Sequence, residues 1–245
     1  MKKDNARKSK NILSRKNKIP EKFVFTGIEY LKDSDVQLFE YHADSYKEQT
    51  NITPEKLPEF AKPQSNYWLN VYGISNTEDI EIICRKQGIH GLVIQDILDV
   101  NQRPKYQTYD DYHFFSIKSV IPGTDEQQTE QISFIFGKNY LISFQERKAD
   151  YFEHIRYRIR ESVGIIQKKT SDYLLYLMLE AILDNYFKAV QQLEERAAEC
   201  FVSGDFNKDL SPNVLKTNQQ IKRHLHILKK CIQPIKDFSS TAERS

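Results

Sequence analysis

The residues of this chain best suited to nucleophilic or soft-metal chemistry are its six histidines and three cysteines, and their spacing supports neither. His42, His90, His113 and His154 are scattered, while His224 and His226 lie two apart, a separation that does not let them face each other on a helix. Cys84, Cys200 and Cys231 form no CxxC pair and are odd in number, so they read as free thiols rather than as a zinc site or a disulfide framework. Neither phosphate-cradling loop, GxGxxG or GxxxxGK(S/T), occurs, nor does a GxSxG elbow or an HExxH helix. A hydrolase whose site is assembled in space from distant residues stays open but demoted. Carboxylate chemistry remains. Glu180 and Asp184 lie one helical turn apart on one face. Two acids so placed repel by roughly a few tenths of a kcal/mol unless a cation sits near them. Asp184 also precedes Lys188 by one turn, the favourable order for an ion pair.

The elements that must carry these groups divide the chain in three. Residues 1–20 are rich in Lys and Arg with almost no apolar pattern and read as a basic disordered arm. Residues 21–165 mix strands and short helices. Phe23–Phe25, Val36–Tyr41 and Tyr67–Tyr72 read as strands. Asn76 caps a helix that Gly88 ends. A second short helix runs over Leu92–Leu98, and Pro104 blocks its continuation. Strands at His113–Val120, Gln131–Phe136 and Tyr140–Phe144 follow, the last two as a hairpin. Tyr151–Ser162 is a basic amphipathic helix. From residue 166 to 245 the pattern is a long helical hairpin. Leu175, Leu179, Ile182, Tyr186, Val190 and Leu193 line one face of its first helix, which extends to about Phe201. Pro212 opens the second helix, whose apolar positions lead up to Pro234.

Composition narrows the function classes. Of 245 residues, 29% are charged, yet the formal net charge is only +2, which argues against a nucleic-acid footprint over the whole protein. No segment reaches the ~20 apolar residues of a membrane helix. The best run, Leu174–Leu183, is broken by Glu180. The basic N-terminus has no apolar stretch after it and so is not a signal peptide.

The most distinctive stretch runs from Gly88 to Lys118. It resembles the cytoplasmic signature of the CorA family at Ile89-His90, Leu92, Asp96–Leu98, Gln102–Lys105 and Tyr112. Gly91 stands where the family often has proline. The resemblance continues at Gln131–Ser133, Phe144–Glu146, Arg156–Arg160, Gly164–Ile166, Lys168-Lys169, Asp172–Tyr176, Asp184 and Tyr186-Phe187, with Trp68 and Gly73 earlier. It covers most of residues 65–240, in order.

The resemblance implies an α+β fold: an αβα sandwich around a central mixed sheet, followed by long antiparallel helices. It implies a non-enzymatic protein, the cytoplasmic regulatory part of a divalent-cation channel that carries Mg2+, and often Co2+. It implies a homopentamer in the full-length protein, placed in the inner (plasma) membrane through two further helices and a Gly-Met-Asn pore motif, none of which occurs in this chain. No nucleic-acid partner is expected. Magnesium bound between neighbouring subunits favours the closed state. Asp96 resembles the family's principal sensing aspartate, and Glu180, with Asp184 a turn later, a second acidic position. Gln95 is a departure, because better-known relatives carry an acid there. Its amide offers an oxygen without charge, so a weaker or more water-mediated site is expected. Without the resemblance, Asp96 reads as a solvated acid on an amphipathic helix. Two other readings stand beside this one: a zinc-transporting relative, and a soluble helical interaction module.

Overall fold

The computed structural model describes residues 22–43, 45–60, 62–121, 128–149, 151–203 and 212–242. The basic arm expected over 1–20 lies outside them. The chain builds a seven-stranded sheet from β1 (Asp35–His42), β2 (Ser45–Gln49), β3 (Asn66–Tyr72), β4 (Tyr106–Thr108), β5 (His113–Val120), β6 (Thr129–Phe136) and β7 (Tyr140–Gln145). The spatial order is β2-β1-β3-β7-β6-β5-β4. All neighbours are antiparallel except the central β3–β7 pair, which is parallel from Tyr67 opposite Tyr140 to Tyr72 opposite Gln145. Nearly every residue of β3 and β7 is buried, so both faces of the sheet centre must be covered.

Two helical layers cover it. On one face lie α1 (Thr77–Lys86) and α2 (Gly91–Leu98), which bury Ile80, Ile83, Val93, Ile94, Ile97 and Leu98 against Leu69, Ile135, Ile142 and Phe144. On the other lie α3 (Glu153–Arg160), α4 (Ser171–Ser203) and α5 (Pro212–Ala242). These bury Ile155, Leu174, Met178, Ile182, Tyr186 and Leu228 against Trp68, Phe115, Phe134 and Leu141. Trp68 is the anchor of this second core: Phe39 stacks on it at 5.3 Å and Phe152 meets it edge-on at 6.3 Å. Its indole N–H donates to Ser143 Oγ at 3.0 Å, and Ser143 donates to Asn70 Oδ1 at 2.7 Å. The result is the αβα sandwich with long trailing helices, and the helical hairpin shares its core with the sheet.

The local sequence explains the element ends. Asn76 Oδ1 accepts from the Asp79 amide at 3.3 Å, and Glu78 and Asp79 sit at the positive end of α1. Gly88, at φ +68, takes the left-handed conformation that follows the helix. Three features differ from the sequence expectation. Residues 23–26 form no strand, because their partner is the end of α2 rather than another strand. The edge strands β2 and β4 are short and polar (Ser-Tyr-Lys-Glu-Gln and Tyr-Gln-Thr) and lack an apolar alternation. Helix α5 continues through Pro234 to Ala242. Pro234 removes one backbone bond there, but Cys231 and Ile235 on either side pack into the shared core.

A buried acid sits at the start of β6. Glu130 is 1% exposed, and its Oε2 accepts from the Arg147 amide at 3.2 Å. Burial pushes its carboxyl up to about 7; the Tyr151 phenol and Arg147 oppose the rise and the neighbouring Glu146 carboxylate adds to it. A raised carboxyl contributes stability that is complete below the unfolded value of 4.5 and is lost as the pH rises to about 7. Glu130→Gln should therefore leave stability nearly unchanged at pH 4 and raise it at pH 8, by up to about 3 kcal/mol. Urea unfolding at the two pH values checks this, and equal effects at both would contradict it.

Candidate functional site

Helix α2 starts from its own sequence. His90 caps it: the Nδ1 atom accepts from the Leu92 amide at 3.2 Å, while the His90 amide donates to Tyr112 Oη at 3.0 Å. The apolar positions Val93, Ile94, Ile97 and Leu98 are fully buried, which turns Gln95, Asp96 and Asp99 to the rim of the layer.

Asp96 is not a freely solvated acid. Its side chain is 17% exposed, and Oδ2 lies 2.5 Å from Lys105 Nζ. Lys105 is held from behind: its amide donates to Ser116 Oγ at 3.1 Å and its carbonyl accepts from the Ser116 amide at 2.9 Å. The Asp96 carbonyl is also fixed, accepting from Gln131 Nε2 at 3.2 Å and from Gln102 Nε2. Burial pushes the Asp96 carboxyl above its ordinary range; the Lys105 ammonium pulls it back, and Asp99 adds a smaller upward push. The Gln-Arg-Pro-Lys spacing alone does not show that the Lys105 ammonium reaches back over a turn to Asp96.

Gln95 is committed to the backbone. Its Oε1 accepts from the Val24 amide at 3.3 Å and its Nε2 donates to the Val24 carbonyl at 3.0 Å. A carboxylate could make only the first of these bonds. The Thr26 amide donates to the Leu98 carbonyl at 3.1 Å, Thr26 Oγ1 donates to Asp99 Oδ1 at 2.9 Å, and Asn101 Nδ2 donates to the Thr26 carbonyl at 2.8 Å. These bonds lay residues 23–26 as a strap along the end of α2.

Glu180 and Asp184 lie on α4, on the opposite face of the sheet from α2, and both are solvent-exposed. They share a stripe with Tyr176 and Phe187, which are 57% and 71% exposed. The structure therefore brings Gln95 and Asp96 together, and Glu180 and Asp184 together, but keeps the two pairs apart within one chain. Among the described residues no group of three or more His, Cys, Asp or Glu could hold a metal ion. An oxygen-only donor set of one half-buried carboxylate still fits magnesium, which keeps several of its waters and takes one or two carboxylates. No helix of the described residues is long and apolar enough to cross a membrane.

Comparison with known proteins gives this geometry a context. The family model described as "CorA-like Mg2+ transporter protein" matches residues 63–244. The chain is 32% identical over 237 residues to the cobalt/magnesium transport protein CorA of Thermotoga maritima, covering 96% of this chain and 67% of that protein. Among solved structures, full-length CmaX superposes with a TM-score of 0.71 at 13% identity, over 90% of this chain and 65% of CmaX. The soluble domain of CorA from Methanocaldococcus jannaschii superposes with a TM-score of 0.65 at 16% identity, over 86% of this chain and 78% of that one. At those identities the two structures establish a shared fold.

The strap is directly testable. Gln95→Ala removes both bonds to Val24 and should lower stability by about 1–2 kcal/mol. The same change should speed hydrogen exchange at the Val24 and Thr26 amides by roughly tenfold. Exchange unchanged at both amides would show that the strap is held without Gln95.

Proposed function

The chain belongs to the CorA-like Mg2+ transporter protein family, and from that premise we propose that it is the cytoplasmic, magnesium-sensing part of a divalent-cation channel. The family is one of ion transporters, not of enzymes. About a third of the Thermotoga relative's length lies outside the match, and to that stretch we assign the membrane-spanning and pore-forming parts. The full-length protein then sits in the inner (plasma) membrane with this part on the cytoplasmic side. Magnesium is both regulatory ligand and cargo. The relative's name supports cobalt as a second cargo.

The observation that carries this reading is the placement of the acids. Asp96 sits on one outer layer, and Glu180 and Asp184 sit exposed on the other, with aromatic rings beside them. Two such faces cannot meet within one chain, but they can meet between neighbours in a ring. Exposed Tyr and Phe beside a charged stripe suit a contact between copies, and the proposed assembly is a homopentamer. Asp96 would hold the ion, largely through water, while Glu180 and Asp184 would add negative charge from the neighbour. Gln95 would contribute its oxygen only by sharing or breaking its bond to Val24. Among the described residues no cluster with Cys or His could hold a metal ion, which leaves the oxygen of Asp96 as the ligand and suits a hard ion better than zinc.

Gating then follows from charge. Acidic faces of adjacent subunits repel, and a divalent ion between them removes the repulsion. When cytosolic magnesium falls, the ion leaves and the subunits separate. The ion shifts this equilibrium only by its differential affinity for the two arrangements. Asp96→Ala in the full-length protein should weaken regulatory magnesium binding by about tenfold or more and leave the pore open at magnesium concentrations that close the wild type. Calorimetry and ion flux into vesicles read the two effects, and unchanged affinity would reject Asp96 as a ligand.

A further inference from the structure

We propose that Lys105 is a resident counter-ion of Asp96, and that a divalent cation takes the site by displacing the Lys105 ammonium. The inference rests on the reading of Asp96 as an ion-binding residue. It assigns a role to a residue outside the acidic set.

A carboxylate with only 17% of its side chain exposed needs a cation or several hydrogen bonds to stay ionised. In this structure Lys105 supplies that charge at 2.5 Å. A divalent ion bound to the same carboxylate would lie within a few ångströms of the ammonium, and two positive charges that close repel strongly. Occupancy by one therefore disfavours the other. Asp96 is paired in both states, so the exchange leaves no buried charge alone.

The geometry suits such an exchange. The Lys105 backbone is fixed on both sides, its amide to Ser116 Oγ and its carbonyl to the Ser116 amide. Pro104 further restricts the chain just before it. The side chain is 31% exposed, and its flexible four-carbon stem carries a point charge that forms no fixed fork with the carboxylate. The ammonium can swing into solvent without moving β5 or α2. Lys105 thus sets the threshold concentration at which a divalent ion binds. A weak ammonium pairing gives a site that fills at low concentration, and a strong one gives a site that fills only at high concentration.

The test uses magnesium chloride titrated into the full-length protein, followed by calorimetry, with Asp96→Asn and Lys105→Gln as variants. Glutamine keeps most of the stem and removes the charge. The expected result is binding that Asp96→Asn abolishes and Lys105→Gln tightens by roughly three- to tenfold. A second readout needs no variant: the side-chain ammonium resonance of Lys105, followed by 15N NMR in the wild type, should shift toward that of a solvent-exposed lysine as magnesium is added. Binding that depends on Asp96 but is unchanged or weaker in Lys105→Gln, with a stationary Lys105 resonance, overturns the displacement alone. No Asp96-dependent binding in either protein overturns the site and the displacement together.

Discussion

The parallel pairing of β3 with β7 is the constraint on which the rest of this structure depends. Parallel neighbours at the centre of a sheet are buried on both faces, and they require a crossover that carries the chain from the end of one strand to the start of the other. Here that crossover contains α1, α2 and the β4–β6 meander. The crossover puts α2 on one face, and the chain after β7 has the other face left to cover. Trp68, Asn70 and Ser143 hold the pair together from within by a buried relay of hydrogen bonds. The separation of Asp96 from Glu180 and Asp184 is thus a consequence of strand order.

On the proposed reading, that separation decides how a cation would be bound. Acids gathered in one pocket of one chain would suggest a cation cage that a monomer could fill. Acids divided between opposite outer layers suit an ion that reports on the contact between neighbours. On the proposed reading few acids are needed at each position, because magnesium retains waters and takes few protein ligands. The ion pair of Asp96 with Lys105 adds a condition. A half-buried carboxylate is costly to leave ionised and unpaired, and here Lys105 supplies the counter-charge.

The amphipathic and capped elements were legible in the sequence because their signals are local. Asn76, Gly88, the apolar run Leu92–Leu98 and the hairpin at Gly137–Asn139 fall where they were expected. The edge strands β2 and β4 were not, since strands with one exposed edge and polar side chains lack period-two alternation. Phe23–Phe25 carries strand-like residues but pairs with a helix end, a tertiary arrangement without a local sign. The same limit applies at the site. The resemblance to the CorA family pointed to Asp96, yet the clamp of Gln95 on Val24 joins residues 71 apart in the chain. The Lys105 ammonium bridges a turn whose path depends on Ser116 of β5. Pro234 shows the converse: a strong local breaker is overridden where the flanking positions pack into a shared core.

On the proposed reading the Asp96 carboxylate is where a divalent cation meets this fold. Anomalous diffraction from crystals of this chain grown with cobalt tests it most directly, because cobalt is carried by a named relative and its position is seen without inference from binding curves. An anomalous peak is expected beside the Asp96 side chain, at water-mediated or direct bonding distance, with the Lys105 side chain turned away from it. Cobalt found only at other residues, with the Asp96–Lys105 pair intact, would contradict the account.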